Sequence, residues 1–249
     1  MDIQKASVWK RAAAGLLDAM ILLLVAAGIM ILLMTVLGYD GYLLEGEALK
    51  QTYMEEYQLE EAWFTATDLT AEQEALLLEA DKAFSQDEKA IEIYNWLNNI
   101  LLTSISMGIL IGLLLLEFVL PLILGNGQTV GKKVFSLSVT RVDGVKLTTL
   151  QLFVRTLLGR FTIETMFPVY ILILIIWGAL GMIGTILLIG LLLLQLILMA
   201  ATANNSLIHD LLAGTVVVDH NTQKIFRTTD DLIAHKKRIA AERASRQEY

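Results

Sequence analysis

Three polar side chains stand nearly alone in long apolar stretches. Asp18 lies in the run that follows Trp9-Lys10-Arg11, Glu117 in the run that opens at Trp96, and Gln195 in the run from Met166 to Ala203. A carboxylate in hydrocarbon is costly, about 2.5–3.5 kcal/mol on insertion scales when it is central. It is kept there to bind a cation or proton, or to hold helices together by hydrogen bonds. Asp18 is seven residues after Arg11, Glu117 seven before Leu124, and Gln195 eight before Ala203. At a helical rise of 1.5 Å per residue, all three fall about 10–12 Å inside one face of a membrane. Two carboxylates at one level do not both ionise readily, so a shared proton is expected, with Gln195 supplying a neutral oxygen. In the site reading, Asp18 and Glu117 are proton or cation ligands. In the structural reading, the same residues are a hydrogen-bonded glue.

A second group is expected near the interface. Arg11 and Asp210 are read as an ion pair tying the first helix to the end of the last, with Arg155 and Lys132 at the same level. His209 precedes Asp210, but one His–Asp pair makes no catalytic site, and no nucleophile–base arrangement is legible, so no enzyme activity is expected. The chain has no cysteine, which excludes disulfides, iron–sulfur clusters and thiol chemistry. Its three histidines, His209, His220 and His235, have no zinc-site spacing, and no metal or other cofactor is expected. Gly125-Asn126-Gly127-Gln128-Thr129-Val130-Gly131-Lys132-Lys133 evokes a phosphate loop. Its first glycine is misplaced and Lys133 stands where Ser or Thr is required, so nucleotide binding is rejected in favour of a turn with basic anchors.

The elements that must position these residues follow from apolar length. Hydrophobic residues make up 55% of the 249, in long runs, which indicates an integral membrane protein. The first run, after Arg11, is too long for a signal-peptide core and is read as a retained anchor helix. Charge sets the expected topology. Between Asp40 and Glu92 stand 15 acids against Lys50, Lys82 and Lys89, whereas the other 16 bases lie in the two tails and between Lys132 and Arg160. The positive-inside rule then places both termini and the central basic segment in the cytoplasm and the acidic loop outside a cell membrane crossed several times. No nucleic-acid partner is implied.

The fold class expected is an all-α integral membrane protein: a four-span helical bundle with an in-plane amphipathic helix, a small cytoplasmic β-element and a helical acidic outer loop. Residues 1–38 hold the tail and first span, 39–95 the outer loop, and 96–124 the second span. Residues 125–165 hold a cytoplasmic loop, a hairpin and the amphipathic helix, 166–203 a transmembrane hairpin, and 204–249 the C-terminal tail. In the outer loop, Thr70-Ala71-Glu72-Gln73 and Ser85-Gln86-Asp87-Glu88 both fit a capping box. Asp143-Gly144 after the alternating Phe135–Val142 stretch signals a hairpin turn, and Thr215–Asp219 is a second strand-like stretch. Thr148–Glu164 carries an apolar stripe opposed by Gln151, Arg155 and Thr162, the pattern of a helix in the membrane plane. Gly178, Gly181 and Gly184 divide the 38 apolar residues from Met166 into helices of about 166–181 and 184–203, or pack one long tilted helix.

Arg11 at the start of the first helix, Asp18 within it, and His209-Asp210-Leu211-Leu212-Ala213-Gly214-Thr215-Val216-Val217-Val218 together resemble the RDD membrane-protein family, named for one arginine and two aspartates. The segment from Gly127 through Lys133 to Asp143-Gly144 resembles the family's central part, so the likeness covers about 9–37 and 97–219. The acidic loop 40–92 is longer than that pattern. The resemblance implies transport, with sodium–proton exchange among the suggested activities. The leading expectation is therefore movement of a small cation or proton across the lipid bilayer by Asp18 and Glu117. The alternatives are a non-transporting scaffold or regulator that binds another membrane protein, and a lipid-binding role for the in-plane helix. Gly108-x-x-x-Gly112 and Gly15-x-x-x-Ala19 are candidate contacts of a homo-oligomer.

Overall fold

The structure, a computed structural model, describes residues 4–66 and 68–247. Helix α1 (Val8–Val36) stops at Gly38, whose φ of 77° suits glycine, and α2 (Tyr39–Glu56) follows at once. A 3-10 turn (Glu61–Phe64) leads to α3 (Ala71–Gln86). The capping box at its start forms as expected, Gln73 N–H donating to Thr70 Oγ1 while the Gln73 side chain accepts from the Thr70 N–H. The box expected at Ser85 is displaced by one nearer the helix. Asp87 Oδ1 accepts from the N–H groups of Lys89 at 2.7 Å and Ala90 at 2.9 Å, so α4 (Glu88–Leu124) begins eight residues ahead of Trp96.

After α4 come the short α5 (Val130–Val134), β1 (Leu137–Arg141) and α6 (Thr149–Ile176). The chain ends with α7 (Gly181–Ala201), α8 (Ile208–Ala213), β2 (Thr215–Asp219) and α9 (Thr229–Gln247). Among the described residues, α1, α4, α6 and α7 are long and apolar enough to cross a membrane. The fold is an all-α membrane bundle with one two-stranded sheet.

The expected in-plane helix is not a separate element. Its apolar stripe runs without interruption into the apolar residues after Met166, so residues 149–176 form the single helix α6. The glycine cluster does divide that helix from α7: the turn spans Trp177 to Leu180, with Gly178 at φ 74° and Gly181 at φ 46°. The two strand-like stretches pair with each other in one small β-element, as expected. β1 and β2 are antiparallel, from Leu137 opposite Asp219 to Arg141 opposite Thr215, and Lys5 bridges the outer side of β2 at Val218. Asp143-Gly144 makes a tight turn at the end of β1, Gly144 N–H donating to the Arg141 carbonyl.

The chain divides into two compact units, Met1–Val25 with Ile109–Tyr249 and Ala26–Gly108. The second unit is the acidic helical one. It is held by Gly46 against Ile93, by Tyr53 and Tyr94 edge-on to Phe84, and by a Tyr42–Trp96 stack. Within it, a Cβ on Gly108 would lie 2.8 Å from the Ala26 carbonyl oxygen, so this glycine packs inside the chain. Of the Gly108-x-x-x-Gly112 pair read as an oligomer contact, Gly108 thus packs against α1.

Candidate functional site

The site lies wholly within the first unit. Four carboxylates (Asp18, Glu117, Glu164, Asp210) and four cations (Arg11, Lys132, Arg155, Arg160) are drawn from α1, α4, α5, α6 and α8. Many of these residues line one cavity of about 440 Å3, whose wall also includes Gln195 and apolar residues of α1 and α7. Opposite charges at close range in a water-poor interior hold each other ionised, whereas any one of them alone is costly.

One half centres on Asp18. Its Oδ2 accepts a 2.5 Å hydrogen bond from Thr129 Oγ1, and its Oδ1 a 2.7 Å bond from the Gly131 N–H. Glycine is required here. A Cβ at Gly131 would collide with the Ala14 carbonyl and come within 3.0 Å of the Asp18 carboxyl carbon. Thr129 caps α5 and turns Lys132 inward, where Nζ donates to Thr129 Oγ1 at 3.1 Å. That ammonium stands 3.7 Å from Asp18 Oδ2 and 3.6 Å from Glu117 Oε2. The two carboxylates thus share a lysine, where a shared proton had been expected. Glu117 is also held by Arg160 Nη1 at 2.7 Å.

Backbone geometry aims these groups. Residues 114–119 of α4 and 154–166 of α6 follow the wider i to i+5 pattern of a π-helix, as in the Leu120 N–H to Leu115 and Phe167 N–H to Thr162 bonds. The two segments carry Glu117 and, in α6, Arg155, Arg160 and Glu164. Pro121 has no N–H, which frees the Glu117 carbonyl one turn earlier, and Thr156 Oγ1 donates to it at 3.0 Å. Arg155, read from sequence on the polar side of an in-plane helix, is turned inward instead and is buried.

The other half centres on Asp210, which is fully buried. Arg11 Nη2 approaches Oδ2 at 2.9 Å and Arg155 Nη2 approaches Oδ1 at 3.1 Å, while Thr215 Oγ1 donates to Oδ1. Arg11 Nη1 also donates to the Asn204 carbonyl. Burial by itself would raise the Asp210 carboxyl, but Arg155 and Arg11 override it and hold it well below the usual carboxylate range. Arg155 Nη2 lies 2.8 Å from His209 Nε2. A guanidinium only donates, so Nε2 accepts, and the ring proton sits on Nδ1, which donates to Glu164 Oε2 at 2.6 Å. Burial pushes this imidazole down, consistent with a neutral ring. His209 in turn presses on α6 at Gly159, where a Cβ would sit 2.6 Å from the His209 Cα.

Asp18, Glu117 and Lys132 are therefore brought together directly, Arg11, Arg155 and Asp210 form the neighbouring ion cluster, and Gln195 faces the same cavity without a direct bond to either carboxylate. Sequence reading missed Thr129, Arg160, Glu164 and His209 as members. The Thr-Val-Gly-Lys cap of α5 was the legible signal for Thr129, whereas nothing in the helical spacing singled out Arg160 or Glu164.

A helical membrane protein whose apolar helices enclose a charge-balanced cluster is the class that fold and site define. The model of the RDD family matches residues 5–214, and the chain belongs to that family. Searches of curated proteins and of solved structures return no match.

Proposed function

We propose that this protein exchanges a small monovalent cation for a proton at the Asp18–Lys132–Glu117 site. The observation that carries the reading is the Lys132 ammonium, set among oxygens of Asp18, Glu117 and Thr129. Charged and hydroxyl oxygens of this kind suit a hard cation, and the ammonium holds the place such an ion would take. Burial pushes the Lys132 ammonium down, and Arg155 and Arg160 add to that, with Glu117 and Asp18 opposing. When Lys132 gives its proton to water in the cavity, the neutral amine leaves two carboxylates short of one positive charge. A cation entering there restores the balance. Reprotonation of Lys132 expels it, so one proton is exchanged for one cation.

In this reading Gln195 offers a neutral oxygen along the cavity wall, and the Arg11–Asp210–Arg155 cluster with Glu164 and His209 holds α1, α6 and α8 in place. The protein is not an enzyme and uses no cofactor. It crosses a cell membrane several times with both termini in the cytoplasm. That orientation is supported by the basic residues of the N-terminal segment, the 125–148 loop and the C-terminal segment, whose backbones meet at β1, β2 and the Lys5 bridge.

The test is purified protein in proteoliposomes carrying an imposed pH gradient read by an internal dye. Adding sodium, lithium or potassium should dissipate the gradient, and D18N or E117Q should abolish the effect at matched incorporation. K132M should still admit the cation, measured by isotope uptake, but no longer move protons with it. Wild-type vesicles without cation-dependent proton movement would overturn exchange and leave the scaffold reading in its place.

A further inference from the structure

A second cavity in the first unit, about 640 Å3, lies away from the carboxylate cluster and has the opposite character. Its polar lining is Asn126, Lys146, His220, Gln223 and Arg227, and no carboxylate lines it among the described residues. The side chains are carried by fixed backbone. Asn126 holds a left-handed φ of 50°, rare for a residue with a Cβ, and its carbonyl accepts from the Val139 N–H at 2.9 Å. Lys146 N–H donates to the Phe226 carbonyl at 2.8 Å, and Phe226 N–H donates back to the Gly144 carbonyl, which seats Arg227 beside Lys146. His220 shares a 2.7 Å hydrogen bond between Nδ1 and Ser138 Oγ, leaving Nε2 as the ring's remaining polar atom. The Gln223 amide is already used, accepting from the Gln4 N–H and donating to the Lys224 carbonyl.

Asn126 and Lys146 also line a smaller adjoining cavity of about 260 Å3, whose wall mixes Thr148 and Thr149 with the apolar Pro121, Leu122, Leu147 and Leu152, at the ends of α4 and α6. Leu122 of that wall is exposed, as are its helix neighbour Ile123 and, at the start of α6, Leu150. The polar cavity thus adjoins the ends of two membrane-length helices. Two cations, an amide and an imidazole without a facing carboxylate match an oxyanion carrying one to two negative charges.

We propose that this cavity binds a phosphate-bearing anion, with Lys146 and Arg227 on the charge and Asn126 on a phosphate oxygen. Such a phosphate comes from an anionic phospholipid headgroup or from a soluble phosphate compound. The leucines of the adjoining wall, Leu122, Leu147 and Leu152, favour the lipid.

The full-length protein in detergent would be titrated with mixed micelles of phosphatidylglycerol, with matched phosphatidylcholine micelles, and with inorganic phosphate, binding being read by thermophoresis. Saturable binding of phosphatidylglycerol over phosphatidylcholine supports the lipid source, and saturation by inorganic phosphate supports the soluble one. In either case K146Q and R227Q should each weaken binding about fivefold, the factor that corresponds to roughly 1 kcal/mol per basic contact. K236Q, a change on the exposed face of α9, is the control and should leave binding unchanged. Both positions tested are at the surface, so an unaltered melting temperature checks that the variants fold. No saturable binding of either phosphate source, or equal losses in K146Q, R227Q and K236Q, would overturn the proposal.

Discussion

His209 shows how one proton is placed by its neighbours. Arg155 on Nε2 and Glu164 on Nδ1 leave the ring one proton, and burial opposes a second. Because its pKa is lower folded than unfolded, the unfolded chain takes up more protons as pH falls through about 6.5, the ordinary histidine value. Stability contributed by this residue is therefore intact above that pH and declines on acidification until the folded ring also protonates. The melting temperature in detergent should fall between pH 7 and pH 5.5, and H209Q, which can still donate to Glu164 and accept from Arg155, should flatten that slope. An unchanged slope would show that His209 is not held neutral. The Asp210 carboxylate titrates with the same consequence in a lower window. Its depressed pKa adds stability that is lost only as pH drops below the ordinary carboxylate range.

At the scale of elements, α5 decides the site. Five residues long, it has too few turns to be stable alone, and it persists because Thr129 caps it and Asp18 accepts its Gly131 N–H. G131A would push a methyl into the Ala14 carbonyl, separate α5 from α1 and withdraw Lys132 from the carboxylates. The expected cost is about 1–3 kcal/mol, as for other overpacked contacts, read as a lower melting temperature. Gly15 is the contrast. It lies in α1 with nothing within 4 Å of its added Cβ, so G15A should keep or raise the melting temperature, alanine being the better helix former. The π segments of α4 and α6 belong to this scale too, since each turns its charged residues away from the face that an α-helical wheel would assign.

At the scale of the whole molecule, the division of charge is the guide. The 15 acids of the Asp40–Glu92 stretch belong to the second unit, whereas all but three of the bases lie outside that stretch. Single cysteines introduced at Ala71 and Ala244 should differ in intact cells: an impermeant thiol reagent should label the first and spare the second. The reverse pattern would invert the orientation. The chain contains no native cysteine, so no background needs removing.

The sequence by itself determined the apolar helices, the Thr70 cap, the glycine turn after Ile176, the strand-like stretches, and Asp18 with Glu117 as the unusual carboxylates. These are local or one-dimensional properties: apolar length, capping chemistry, alternation and depth along a helix. Apart from the Arg11–Asp210 pair, already read from the sequence, only the tertiary structure decided azimuth and partner. Depth placed Asp18 and Glu117 at one level, but the Lys132 ammonium between them arrives from a five-residue helix over a hundred positions later than Asp18, by a fold of the chain that no periodicity records. Arg155 and Arg160 illustrate the same limit. Arg155 lies opposite an apolar stripe and Arg160 at its edge, which fits a membrane surface, yet π turns and the nearness of Asp210 and Glu117 bring them inside, because a charge beside its counter-charge is cheaper to bury than a periodic pattern alone can indicate.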